Sequence, residues 1–234
     1  MDGDLSSDLA TIADCISRFY RQLYFEDVAH RPILDYVDFS SISMEDASWL
    51  DRPFKEEEVF GVINDFNGDK ALGPDGFSMA FFQSCWCVQT TEIMAVFHNF
   101  HTQAMFEKSL NASFLALISQ EGGCCGAKDF WPISLVGGIY KIISKVLANR
   151  LRRLVNGLIS NSQNTFVKGK QILDSVLIAS ECIDSRLKSG IPGVLCKLNV
   201  EKAYDHVSWD FFNVYASVLW VLKKMEEMDN IFQL

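Results

Sequence analysis

From Lys141 to Leu158 apolar side chains return every third or fourth position, at Ile143, Leu147, Leu151, Leu154 and Leu158. That period fits an α-helix with one buried stripe and excludes a strand, whose faces alternate every second residue. On another face, Lys141, Lys145 and Arg152 fall within about 40° of one another at 100° per residue. The chain must therefore fold so that this helix is covered on one side and cationic on another. Taken alone, the basic face reads equally well as solvated surface or as a contact to a nucleic-acid backbone.

Charge is unevenly placed. The formal net charge is -9, yet residues 1–60 carry 14 acidic and 5 basic side chains, so the remaining 174 residues are neutral overall. Within those, Phe130 to Leu173 holds Lys141, Lys145, Arg150, Arg152, Arg153, Lys168 and Lys170 with no Asp or Glu. Positive charge gathered this way is compatible with a polyanionic partner despite the acidic total. With 49% hydrophobic residues and 18 Phe, the chain has the material for a packed core rather than a disordered polymer. No apolar run reaches membrane-spanning length, and Met1 is followed by Asp2 and Asp4 rather than a secretion leader. Seven irregularly spaced Cys point to reduced thiols in an intracellular compartment, nuclear or cytoplasmic. Cys85, Cys87, Cys124 and Cys125 lack zinc spacing, and His98 with His101 reads as a surface pair on a helix.

The remaining segments follow from periodicity and breakers. Residues 8–26 are expected to form an amphipathic helix through Leu9, Ile12, Ile16, Phe19 and Leu23. Residues 27–53 are expected to be irregular. A helix should start at Lys55-Glu56-Glu57-Glu58, where acids suit the positive end of the dipole, and bury Val59, Val62, Ile63 and Phe66. Gly73-Pro74-Asp75-Gly76 predicts a turn, and one long helix should run from Met79 to about Phe106. Phe114–Ile118 and Trp131–Val136 are expected to pair as strands. A further helix should span Ile172 to Lys188, stopped by Gly190. Val194–Val200 reads as a short buried strand, after which polar residues crowd in: Asn199, Glu201, Lys202, Tyr204, Asp205 and His206.

The run Leu198-Asn199-Val200-Glu201-Lys202-Ala203-Tyr204-Asp205-His206-Val207-Ser208-Trp209 resembles the first palm motif of reverse transcriptases from plant non-LTR (LINE-type) retrotransposons. The family pattern is L-D-I/V-E-K-A-Y/F-D-x-V-x-W. Further blocks agree in order. Lys70 to Phe77 is similar to K-A-P-G-P-D-G-F, Val136 to Leu151 to the family's basic helix, and Gln163 to Leu173 to Q-N-A-F-V-x-G-R-Q-I-L. The likeness covers roughly 14–212 and fades through 213–234, a stretch expected to be helical.

The resemblance implies an α+β right-hand fold of fingers and partial palm, mostly helical, with a fingers β-hairpin and one palm strand. It divides the chain into an acidic connector (1–60), a fingers-like region (61–190), the first palm motif (191–212) and a diverged helical tail (213–234). The implied activity is RNA-directed DNA polymerisation with two Mg²⁺ ions about 4 Å apart, held by aspartates. Here Asn199 occupies the metal-binding aspartate position and offers only a neutral oxygen, where Mg²⁺ favours anionic ligands. Gln120 and Trp131 stand where the family places the Lys and Arg of its triphosphate clamp. Tyr204 matches the steric gate at the sugar of the incoming nucleotide, and the resemblance implies Val200 as a further nucleotide-binding residue. The downstream Y/F-A-D-D hairpin is not found. The resulting expectation is a truncated and inactive copy that binds no metal and no deoxynucleoside triphosphate. Lys141, Lys145, Arg152, Lys168 and Lys170 remain as contacts for an RNA or DNA template–primer. The alternatives are a non-enzymatic nucleic-acid-binding module and an unexpressed element relic.

Overall fold

The computed structural model describes residues 7–25, 41–103, 106–119, 126–159, 163, 167, 169–190 and 192–194. Among them the chain is mostly helical with one two-stranded antiparallel hairpin, an α+β arrangement. The first helix, α1 (Leu9–Leu23), starts where Asp8 accepts the backbone N–H of Thr11 at 2.9 Å, a side-chain cap for an otherwise orphan donor. That bond and the Thr11 hydroxyl hold the Asp8 carboxyl below its ordinary pKa. Tyr20 is its buried residue, and its hydroxyl donates to the Phe130 carbonyl. Leu9, counted from the sequence on the apolar stripe, is 81% exposed.

The expectation of an irregular stretch through residue 53 is corrected by α2 (Met44–Leu50). Ser43 caps it by accepting from the Asp46 N–H at 3.1 Å, and Glu45 and Asp46 supply first-turn acids. That Ser-x-x-Asp signal lies in the sequence and marks a helix start inside the stretch. Next, α3 (Glu56–Asp65) follows Lys55 as expected and buries Val59, Val62 and Ile63. The long helix expected from Met79 is instead two, α4 (Met79–Ser84) and α5 (Trp86–Gln103), broken at Cys85 with φ −102° and ψ 11°. The Gln83 side chain beside the break donates to the carbonyls of Ile63 and Phe66 and so ties α4 to the end of α3. A single helical turn, α6 (Lys108–Asn111), then leads into β1 (Ser113–Ser119).

Strand β1 pairs antiparallel with β2 (Phe130–Val136), as expected, with Ile118 opposite Trp131 and Phe114 opposite Leu135. Directly after β2 comes α7 (Gly138–Arg152), then the short α8 (Val155–Leu158). One unbroken helix from Lys141 to Leu158 was expected; the structure starts it three residues earlier and interrupts it at Arg153–Leu154. The core joins α3, α4, α5 and α7 through Val59, Ile63, Met79, Phe97, Ile142 and Val146. The buried side of α7 is Ile142, Ile143, Val146 and Arg150. Of the stripe read from the sequence, Ile143 and Leu154 are buried and Leu147 packs against the core, while Leu151 and Leu158 are half-buried, so the covered face is turned toward Ile142 and Val146.

The last element, α9 (Ile172–Ser189), ends on Gly190 at φ 66°, a left-handed cap that glycine adopts without a Cβ penalty. It has no buried residue. Val194, expected to open the palm strand, is 97% exposed; the rest of that strand and Asn199, Val200 and Tyr204 lie outside the described residues. Among the described residues no helix is long and apolar enough to cross a membrane.

Candidate functional site

The turn Gly73–Gly76 forms as the sequence demands, with the Gly76 N–H donating to the Gly73 carbonyl and Gly76 at φ 71°. Its larger role is tertiary. The backbone of Gly73 lies against Val136 and Gly137 so closely that any Cβ at Gly73 would collide with the Val136 carbonyl. Asp75 accepts the N–H of Gly138, the first residue of α7, and so caps that helix from 63 residues away in the chain. Lys141 donates its ammonium to the Ala71 carbonyl at 2.8 Å. The turn is thus a clamp on the start of α7, and it fixes how the rest of that helix is presented.

The inner side of α7 carries a charge. Arg150 is 2% exposed and sits at the centre of the apolar stripe. Its guanidinium donates to both carboxylate oxygens of Glu58, at 2.8 and 2.7 Å, and to the carbonyls of Leu50, Arg52 and Pro53. It also lies 4.1 Å from the centre of the Phe54 ring. Every donor direction is used, which is what a planar, permanently charged fork needs in order to be buried. At Glu58 burial pushes the pKa up, but the hydrogen bonds and charge of Arg150, helped by Arg52, outweigh it and hold the carboxyl below its ordinary value. Burial, with Arg150 nearby, lowers Arg52 in turn. Arg150 was counted from the sequence among the cations available to a polyanion; the structure removes it, because its charge is spent inside the protein.

The outer side of α7 is different. Lys145, Asn149, Arg152 and Arg153 line an open groove of about 610 Å³, with Asp65 from the end of α3 as the acidic member. The Asn149 carbonyl oxygen is shielded from solvent and meets no donor among the described residues. Arg153 reaches over Trp49 of α2, 4.5 Å from its ring centre, while Arg52 lies over the same ring at 4.0 Å. A guanidinium held against an aromatic face loses little further freedom when it meets an anion.

Of the basic residues singled out from the sequence, the structure brings together Lys145 and Arg152. Lys141 is on the same helix but bonds to Ala71 and is not part of the groove lining. Lys170 belongs to a separate turn, where its N–H donates to the Val167 carbonyl and Gly169 stands at φ 87°. Lys168 and Gln120 lie outside the described residues. Trp131, another residue singled out from the sequence, is 62% exposed on β2. Sequence reasoning missed Asn149 and Trp49. Trp49 carries no local signal, since it is recruited only when α2 folds against α7.

Among the described residues no three His, Cys, Asp or Glu side chains gather in one place.

These features belong to a chain related in sequence to a transposon protein. The relative is the "Transposon TX1 uncharacterized 149 kDa protein" of Xenopus laevis, 24% identical over 212 residues, which is 90% of this chain. The chain spans 16% of that relative's length. No family model matches the chain.

Proposed function

We propose that this chain is a reverse-transcriptase-like piece of a non-LTR retrotransposon protein, of the LINE type its motifs resemble, and that it holds nucleic acid without polymerising it. The observation that carries the first half is the groove beside α7, where Lys145, Arg152 and Arg153 converge. A phosphate backbone is a line of single negative charges, and cations spaced along a helix face neutralise several of them at once. Asp65 at the edge repels a phosphate placed there, so the strand follows the side of the groove nearer Arg152 and Arg153. The kinship with a transposon protein supports an element-derived origin. The fingers and palm assignment rests on the ordered motif blocks from Lys70 to Trp209.

The second half rests on Asn199. In the proposed chemistry carboxylates hold the two metals that activate the primer hydroxyl and steady the triphosphate, and each tenfold loss of rate is about 1.4 kcal/mol of barrier. An amide in place of the carboxylate removes a full negative charge from that set, and Gln120 and Trp131 leave the triphosphate without its usual cations. Two assays on the purified protein test the proposal. Primer extension on an RNA template with Mg²⁺ or Mn²⁺ is expected to give no template-dependent product; incorporation above background refutes the inactive half. RNA binding is expected to weaken at least about tenfold in the Lys145→Glu, Arg152→Glu double variant; binding indifferent to those changes refutes the other half.

A further inference from the structure

Near the end of α7 two guanidiniums share one carboxylate, and a third has none. Arg150 donates to both oxygens of Glu58, while Arg52 reaches one of them at 3.1 Å and also donates to the Trp49 carbonyl at 2.8 Å. Glu58 is fully engaged. Among the described residues Arg153 forms no salt bridge. Burial and the charges of Arg150 and Arg153 lower the Arg52 pKa, which places Arg153 within electrostatic reach of that pair. An anion beside Arg153 therefore finds an unpaired cation and relieves repulsion between like charges. The position of Arg153 is fixed from two sides. Its backbone closes α7, and the next residue, Leu154, is buried. Its guanidinium lies 4.5 Å from the centre of the Trp49 ring, yet the residue is exposed and lines the groove.

We infer that Trp49 is a positioning residue, and that Arg153, the guanidinium it holds, anchors one phosphate of the strand proposed above to lie in the groove. This rests on that reading and adds a residue outside the groove lining that tunes it. A free arginine samples many rotamers and loses that freedom on binding; an indole face holds the planar group in place before the ligand arrives. Two parallel N–H groups of a guanidinium also match two oxygens of one phosphate. Among the described residues neither Lys145 nor Arg152 lies over an aromatic ring. Those two supply charge, and Arg153 adds direction. Trp49 acts through Arg153 rather than on the strand itself. A staple that merely joined α2 to the end of α7 would use the same contact, and the two roles differ in what they do to binding.

Single-stranded RNA affinity of the full chain at fixed salt tests it, in wild type, Trp49→Leu, Arg153→Ala and the double variant. Leu keeps apolar bulk and removes the aromatic face. Trp49→Leu is expected to weaken binding about two- to fivefold when Arg153 is present and to change nothing once Arg153 is Ala. Trp49→Phe keeps a ring and should retain most of the wild-type affinity. A second measurement leaves Trp49 in place and does not depend on how its variants fold. Arg153→Lys keeps the charge but not the planar group, and should lose about two- to fivefold in affinity with the salt slope unchanged. Arg153→Lys binding as wild type overturns the inference. So does a Trp49→Leu loss of equal size with and without Arg153, which would make Trp49 a direct contact or a staple. If Lys145→Glu, Arg152→Glu and Arg153→Ala all leave binding untouched, the groove reading itself falls. If those weaken binding and Trp49→Leu does not, only the role of Trp49 falls.

Discussion

Helices α7 and α9 are of similar length, and both carry apolar side chains, yet they end up in different surroundings. The stripe of α7 is buried against α3, α4 and α5, and its first turn is clamped by Gly73 and Asp75. The apolar residues of α9 are exposed, and none of its residues is buried. Amphipathicity states that a face will be covered and is silent on the cover. For α7 the cover is formed by a cluster of Phe, Ile and Val from three helices close in sequence, and a buried ion pair adds registry. Substitutions along α7 should accordingly be costly, and surface changes on α9 cheap.

The largest effect is expected at Arg150. Replacing it with Ala leaves Glu58 with the Arg52 guanidinium at 3.1 Å in place of the bidentate pair and frees three carbonyls, a loss of about 3 kcal/mol, the low end of the usual cost of breaking a buried pair. Urea titration should show it, and Arg150→Lys should fail to restore stability, because a single ammonium cannot reach five acceptors. Acid should act on the same contact. The Glu58 carboxyl is held below its ordinary pKa, so its contribution is fully present above the unfolded value and fades as pH falls through the folded one. Wild type should therefore lose more stability on acidification than Glu58→Gln, read by melting temperature across the acid range.

Gly138→Ala ranks next. A Cβ there runs into the Phe82 ring, and overpacking of this kind costs about 1–3 kcal/mol. Asp75→Ala removes the acceptor for the Gly138 N–H and should cost about 1 kcal/mol, the usual worth of a helix cap. Smallest is Asp184→Ala on α9, which breaks an exposed pair with Lys188 and should change stability by less than about 0.5 kcal/mol. If Asp184→Ala proved as damaging as Arg150→Ala, the contrast between the two helices would be wrong.

Much of this architecture was legible in the residues, and its failures have identifiable causes. The hairpin strands, the 73–76 turn and the Gly190 stop follow from local chemistry and are present. Cys85 breaks a helix that periodicity alone would continue, since nothing local at Cys85 announces the tie from Gln83 to α3. Arg150 was legible in hindsight: it lies in line with Ile139, Ile143 and Val146, and a charge on an apolar stripe demands a buried partner. Which partner, Glu58, is a tertiary fact 92 residues away. The groove was half-legible. Lys145 and Arg152 share a face by helix geometry, but Lys141 is drawn off by a carbonyl whose position depends on the 73–76 turn. Trp49 and Asp65 enter only through the packing of α2 and α3.

The proposed contact is between the cations on the outer side of α7 and a nucleic-acid backbone. The direct measurement is the salt dependence of single-stranded RNA affinity for wild type and for the Lys145→Ala, Arg152→Ala double variant. Each backbone contact contributes about 0.7 to the slope of log affinity against log salt concentration. The double variant should therefore bind more weakly, with its slope shallower by about one to one and a half. Identical slopes for the two proteins would contradict the claim.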